Sequence, residues 1–290
     1  MEDRLYNPSE DDKIFLKSLT GIKDEDKLEK HVISIQQEAL KVYPYPCIIF
    51  YDFIKPYMAR IPAYPDVLHS GRACKGAVLV DLGCGFGNNI RKAVLDGWPV
   101  ENCVATDLRA VFWEYGHKLF RSTPETFPAS FIQGSILDPT IIAEHPPLSI
   151  GSDPPTQRPS DLRSLTSLNH LRGHVFICFA GYFFHLFTYD DQARLARALA
   201  GLLSPVRGAT ILGLQVSTGK REPWSLTLGY ALMSHSVESW EEMWKEAFRG
   251  CEIHVVTNMR PRQGNLTVYG LNSRERGETY YIMEWLVTRR

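Results

Sequence analysis

Asp81-Leu82-Gly83-Cys84-Gly85-Phe86-Gly87-Asn88-Asn89 limits what this chain can fold into more than any other segment. It closes a short apolar run with β-branched residues, Ala77 to Leu82, and opens a stretch through Val94 that stops near Gly97. That succession reads as strand, tight turn, helix. Glycines are needed where the backbone bends sharply at a strand end and where a ligand presses on the main chain. A dinucleotide turn requires G-x-G-x-x-G, and the sixth position here is Asn88, so that fingerprint fails by one residue.

The same alternation continues down the chain. ENCVATD (101–107), SFIQG (130–134), HVFICFA (174–180) and ATILGLQV (209–216) read as strands. Helical segments over Trp113 to Phe120 and with Leu195, Leu199 and Leu202 on one side are interleaved with them. Strands alternating with helices imply a parallel sheet covered on both faces. A late helix has Trp240, Met243, Trp244, Ala247 and Phe248 on one face and Ser236 as its cap, and two closing strands, CEIHVV and TYYIMEWLVT, follow.

Residues 1–70 read as a helical N-terminal extension, a lid on a domain spanning 71–290. Ser9 with Asp12 caps a short helix, and Asp24 opens a longer one on which Leu28, Val32, Ile35 and Ala39 recur at helical spacing. Tyr43-Pro44-Tyr45-Pro46 ends it, because proline lacks an N–H and biases its predecessor to extended geometry. An aromatic-rich segment from Cys47 to Met58 follows. Two excursions leave the core, a proline-rich one at 139–173 that rejoins it near Leu162, and one at 216–235 without clear periodicity.

Across 290 residues, 32 Lys and Arg face 33 Asp and Glu, for a formal net charge of −1. This balance argues against an obligate nucleic-acid binder, which carries a basic face or stripe. No apolar run is long enough to span a bilayer, and the acidic start MEDRLYNPSEDDK does not resemble a signal peptide. A cytoplasmic location is expected, with the six scattered cysteines reduced and Asn265-Leu266-Thr267 an accidental glycosylation triplet.

D-x-G-x-G-x-G resembles the S-adenosylmethionine (SAM) turn of class I methyltransferases, which cradles the amino-acid end of the cofactor. Asp107, ending the second strand, is placed to accept both hydroxyls of an adenosine ribose; its plainer role is to cap the helix beginning at Leu108. At the end of the third strand, Gly134-Ser135-Ile136-Leu137-Asp138 departs from the pattern, since an acidic residue usually follows the glycine to hold the adenine amino group. Here Ser135 stands there, with Asp138 or a backbone carbonyl in reserve and Ile136 against the ring. The resemblance also brings Asp81, Gly83, Gly85, Gly87, Asn89, Leu108 and Phe179 to the cofactor. Ser152-Asp153-Pro154-Pro155-Thr156 imitates the D-P-P-aromatic motif of amino-directed methyltransferases, but it lies in the proline-rich excursion and ends in threonine.

IQQEALKVYPYPCI, VDLGCGFGNNIRKAVLDGWPVENCVATDL, FWEYGHKLFRSTPETFPASFIQG, LTSLNHLRGHV, FFHLFTYDDQARLARALAGLLSP and HSVESWEEMW resemble fungal secondary-metabolite methyltransferases, in register from about residue 34 to 250. That family includes enzymes methylating carboxyl groups of polyketide-derived and meroterpenoid acids. The resemblance implies a Rossmann-like α/β fold with a mostly parallel seven-stranded sheet, SAM as cofactor, no metal, and a small-molecule acid as partner, with a homodimer compatible. A carboxylic acid of pKa about 4 is nearly all anion at pH 7, whereas a phenol near pKa 10 is about 0.1% ionised, a deficit of about 4 kcal/mol. A carboxylate acceptor therefore needs a clamp more than a base.

His185, just after the fourth strand, is the first candidate to orient the acceptor or act as base, and packing under the aromatic run is its plainer role. His235 is the second, with helix capping or surface exposure as its alternatives. Tyr43, Tyr45, Tyr51, Tyr182 and Trp224 are candidates for the apolar substrate wall, or simply glue between the extension and the core. Arg60, Arg109 and Arg221 are equivalent candidates for a counter-charge. Rival functions are methyl transfer to a phenol, carbon or nitrogen, a methyltransferase-fold protein catalysing terpenoid cyclisation or isomerisation, and a non-catalytic partner module.

Overall fold

The computed structural model describes residues 5–225, 231–261 and 280–290. Asn265-Leu266-Thr267 and most of LTLGYALM lie outside them. The sheet strands are β1 (Val78–Leu82), β2 (Cys103–Asp107), β3 (Ser130–Gln133), β4 (Val175–Gly181), β5 (Thr210–Ser217), β8 (Ile253–Pro261) and β9 (Tyr281–Arg289). A short hairpin, β6 (Pro223–Ser225) with β7 (Ala231–Met233), stands apart from them.

The seven strands lie in the order β3-β2-β1-β4-β5-β9-β8. The first five pair in parallel, and β9 runs antiparallel between β5 and β8. This is the mostly parallel class I methyltransferase sheet expected from the sequence. Central strands β1 and β5 are buried at every residue, which explains why their sequences run apolar rather than alternating. At the β8 edge, burial alternates, with one face of the strand covered and one open.

The principal helices are α1 (Glu10–Thr20), α2 (Glu25–Val42), α3 (Pro46–Ile49), α4 (Tyr64–Ala73), α5 (Asn88–Leu95), α6 (Ala110–Phe120), α7 (Tyr189–Leu202) and α8 (Val237–Ala247). Ser9 and Asp12 form a reciprocal capping box on α1, Asp24 accepts the Lys27 N–H at the start of α2, and Ser236 caps α8. Tyr43, in extended geometry, ends α2. Between α3 and α4 the chain makes 3-10 turns at Asp52–Ile54 and Tyr57–Arg60.

The first two helices do not bury their apolar faces on each other alone. Phe15, Leu16, Leu28, Val32, Ile35 and Ala39 share one cluster with Phe86 of the glycine turn and with Phe112, Tyr115, Leu119 and Phe120 of α6. The excursion after β3 also contributes to the core, since Ile141 and Ile142 are buried within it. No helix among the described residues is long and apolar enough to cross a membrane.

Candidate functional site

Strand order reverses between β1 and β4. Right-handed crossovers therefore leave on opposite faces there, and a crevice opens at the carboxyl ends of these two strands. The glycine turn enters it from β1 and Gly181-Tyr182-Phe183 from β4.

The turn is held from the ligand side by Asp107. Its Oδ2 accepts the Gly85 N–H at 2.9 Å, and its Oδ1 accepts the Arg109 N–H at 3.0 Å. Each oxygen keeps a lone pair for a ligand hydroxyl. Burial raises the Asp107 pKa, against the pull of the Arg109 and Gly85 N–H groups. A Cβ on Gly85 would meet nothing within 4 Å, whereas one on Gly83 would lie 2.5 Å from the Phe183 ring. The open face of the turn is thus at Gly85. Beneath it Asp81 is buried, and its Oδ2 has no hydrogen-bond partner. Burial, and then the charge of Asp107, push its carboxyl well above the usual range. A cationic ligand group nearby would reverse that penalty.

From behind, buried Arg91 donates to the carbonyls of Phe86 at 3.0 Å and Gly87 at 3.3 Å, and it lies over the rings of Trp113, Phe120 and Phe127. Leaving water lowers its guanidinium pKa to about 9. A buried cation committed to main-chain carbonyls positions the turn rather than meeting the ligand.

The N-terminal segment forms a second wall. Asn88 Nδ2 donates to the Lys55 carbonyl at 2.5 Å, and Asn89 Oδ1 accepts the Met58 N–H at 3.0 Å. The residues that start α5 therefore grip the 3-10 turns, and this is where the structure places Asn89. Tyr57, on the second of those turns, donates to Asp52 at 2.7 Å and sets its ring edge-on to Tyr182 at 5.0 Å. Sequence reasoning did not choose Tyr57 among its neighbouring aromatics. Tyr51 instead bonds Gln36 at 3.1 Å and packs between Tyr6 and Phe53 inside the N-terminal segment. Tyr43 and Tyr45 meet Arg109, the first through its ring and the second through its hydroxyl at 3.3 Å, which puts them beside Asp107.

Tyr182 carries a left-handed backbone (φ 51°), a conformation that costs a non-glycine residue about 1–2 kcal/mol and concentrates at functional sites. Its N–H donates to the Leu214 carbonyl at 2.6 Å. His185 is buried in the following turn with Tyr182 edge-on at 6.3 Å. That turn is anchored by Phe184, whose ring lies 5.2 Å from Trp240, 5.6 Å from Trp244 and 5.7 Å from Trp285. Trp224 joins Tyr182 through a small cluster around Val216 and Tyr280. His235 is buried between Tyr189 and Trp240, with Nδ1 2.9 Å from Ser239 Oγ. The structure thus brings Tyr182, His185, Trp224 and His235 to the β4–β5 end, and Tyr43 and Tyr45 to the β2 end.

Among the remaining candidates, Leu108 is 55% exposed just after β2. Ile136 is buried in the core, and Phe179 is buried with its ring covering Gly181. Ser135 Oγ accepts the Leu137 N–H at 3.3 Å, while exposed Asp138 holds Thr140 through Oδ1. Around Gly87, Trp113 and Arg91 leave no room for a side chain. The Asp153-Pro154 segment lines a cleft of about 330 Å³ with Gly76, Ala77 and Phe176, at the amino ends of β1 and β4 and so opposite the glycine turn. Among the described residues, no cluster of three or more His, Cys, Asp or Glu is arranged to hold a metal.

Two histidines tie the site to acid stability. Burial, and then the charge of Arg91, push His117 from 6.5 to about 4; burial and Arg221 do the same to His235. Both rings are neutral in the folded state, while the unfolded chain takes up protons below about pH 6.5. Their contribution is complete above that pH and is lost as pH falls towards 4. Thermal scans from pH 7 to pH 4 should show a steeper loss of melting temperature in the native protein than in the His117→Gln/His235→Gln double variant. Parallel profiles would contradict it.

Comparison with known proteins gives a concordant result. Residues 2–54 match the family model described as the meroterpenoid methyltransferase N-terminal domain. The chain is 31% identical over 248 residues to the asnovolin E/chermesin D methyltransferase nvfJ of Aspergillus novofumigatus, covering 84% of this chain and 77% of that protein. It is 30% identical to the O-methyltransferase atr3 of Stereocaulon alpinum, over 76% of this chain and 57% of that one. To methyltransferase adrK of Penicillium roqueforti it is 29% identical, over 76% and 70%. With that similarity running through the glycine turn, the sheet and the N-terminal segment alike, the chain belongs to the fungal secondary-metabolite methyltransferases.

Proposed function

We propose that this enzyme uses SAM to methylate the carboxylate of an apolar small-molecule acid of polyketide, aromatic or meroterpenoid type. The observation that carries the cofactor is the pairing of an open glycine face at Gly85 with the partnerless carboxylate oxygen of Asp81. A ligand with a cationic amino-acid end and a ribose matches those acceptors. Asp107 would accept the ribose hydroxyls, Leu108 would lie against the adenine, and Asp81 would face the cationic end. Bound there, the cofactor supplies a methyl group already activated on sulfur.

The protein's part is to present the acceptor and keep water out. Tyr57, Tyr182, Phe183 and Trp224 give the crevice aromatic walls, as small-molecule sites usually have. Methyl transfer would need the acceptor oxygen held in line with that activated methyl group, a placement that Tyr57, Tyr182 and Trp224 would serve by walling the crevice. A carboxylate brings no proton to remove, so no base is required. His235, held neutral by burial, suits that chemistry, since a neutral imidazole can orient a carboxylate oxygen by donating its ring N–H. Alignment alone can be worth an effective concentration of about 10⁵–10⁸ M. The nvfJ relative's name, asnovolin E/chermesin D methyltransferase, and the meroterpenoid methyltransferase family model over residues 2–54 support a meroterpenoid-type small molecule as acceptor.

The test is methyl-labelled SAM with a panel of aromatic and terpenoid acids, followed by mild base. Labelled methanol is the expected product. A base-stable label would move the reaction to a phenol, carbon or nitrogen, and product formed without label transfer would indicate cyclisation or isomerisation.

A further inference from the structure

Of the three arginines that the sequence leaves equivalent as counter-charges, two are committed. Arg60 is ion-paired with buried Asp12 and lies over Tyr57. Arg109 bonds the Tyr45 hydroxyl and lies over Tyr43. Arg221 stands differently: its guanidinium lies 4.0 Å above the Tyr189 ring, and among the described residues no carboxylate lies within ion-pair distance of it. We propose that Arg221, with the Nε2 of His235 beside it, forms the binding site for an anionic carboxylate on the acceptor. This deepens the carboxyl-methylation reading and rests on it for the identity of the reacting group.

The hairpin brings these residues together. Trp224 pairs with Leu232 across β6 and β7, and the Ser234 N–H donates to the Glu222 carbonyl at 2.9 Å, so Arg221 lies alongside His235. Both contact Tyr189, Arg221 over its face and His235 edge-on at 5.2 Å. A pocket of polar side chains fixes the base of the hairpin: Ser217 Oγ donates to the His235 carbonyl at 2.7 Å, and Ser234 Oγ accepts the Thr218 N–H at 2.9 Å. The hairpin is therefore held in place beside His235, whose Nε2 lacks a hydrogen-bond partner.

That atom is the second, independent observation. His235 Nε2 is buried and has no hydrogen-bond partner. Burying such a group unpaired is unfavourable, and native structures rarely leave one without a ligand or water to meet it. An anion beside His235 selects the tautomer carrying its proton on Nε2, with Ser239 Oγ–H donating to Nδ1 at 2.9 Å. One ring N–H and a guanidinium with no carboxylate partner among the described residues match one carboxylate, with one oxygen gripped and the other left to react. The site lies at the Tyr182 end of the crevice, because Trp224 and Tyr182 share the Val216–Tyr280 cluster.

The experiment titrates the protein, saturated with S-adenosylhomocysteine, with 2-naphthoate and its neutral isostere 2-naphthamide by calorimetry. The native protein should favour the carboxylate by about tenfold or more. Arg221→Gln should erase that preference, and Arg221→Lys should keep part of it, since lysine retains the charge but not the fork. Melting temperature and S-adenosylhomocysteine affinity should not move in either variant, which separates anion recognition from a structural role over Tyr189. No preference in the native protein, or a preference undiminished in Arg221→Gln, overturns the proposal. Carboxylate preference lost in Arg221→Gln while no acid yields labelled methanol would keep this site and sink the methylation reading. Ester formed by Arg221→Gln at unchanged KM would do the reverse.

Discussion

Gly85→Leu should raise the Kd for SAM by about 100-fold or more while the ligand-free protein still folds. The left-handed backbone at Gly85 (φ 52°) costs a leucine about 1–2 kcal/mol. For a domain of this size that lowers the melting temperature by roughly 2–8 °C. No folded-state clash adds to it, since a Cβ there meets nothing within 4 Å. Binding pays the larger penalty, because the branched side chain fills the space over the turn beside Asp107, whose Oδ2 accepts the Gly85 N–H. Calorimetry with SAM and a thermal scan of the same sample separate the two effects. Tight binding retained by a folded Gly85→Leu protein would place the cofactor elsewhere; an unfolded variant would show that the turn's open face is needed for the fold itself.

The glycine turn was legible because its requirements are local. Backbone reversal and close ligand approach demand glycine whatever the rest of the chain does, and periodicity around the turn reports strand and helix directly. Asp107 was legible as a position but not fully as a role. Its sequence position suits a ribose contact or a helix cap; α6 starts at Ala110 with Arg109 as its cap residue, and Asp107 also ties the end of β2 to the Gly85 N–H. That bond joins two βα units, and no local pattern announces it.

The acceptor side was less legible for the same reason. Tyr51 and Tyr57 lie in one aromatic-rich segment, and two 3-10 turns break its period, so which ring faces the crevice depends on how Asn88 and Asn89 grip the main chain. The three-residue strands of the β6–β7 hairpin are too short for alternation to reveal. Arg221 became distinguishable from Arg60 and Arg109 only once Asp12 and Tyr45 were seen to engage those two. Counter-charges are a matter of long-range pairing, which composition does not encode.

Gly116→Ala should destabilise the protein strongly, although a helix-interior glycine replaced by alanine ordinarily gains about 1 kcal/mol. Gly116 lies within α6, directly behind the glycine turn. A Cβ there would lie 2.9 Å from the Phe86 carbonyl carbon and closer still to its oxygen. Neither partner can yield cheaply. Arg91 holds that carbonyl at 3.0 Å, Phe86 is buried against Phe53 and Phe112, and α6 is packed beneath α1 and α2. Overpacking a rigid interior costs about 1–3 kcal/mol, and more when the obstacle is backbone, so the clash outweighs the propensity gain. The expected result is a lower urea midpoint with an unchanged m value. Any folded fraction should also bind SAM more weakly, because relieving the clash displaces Phe86 and Gly87 and with them the Gly85 N–H that Asp107 holds. A midpoint equal to or above that of the native protein would mean that α6 can move off the turn at little cost, and that the close approach at Gly116 does not set the geometry of the cofactor face.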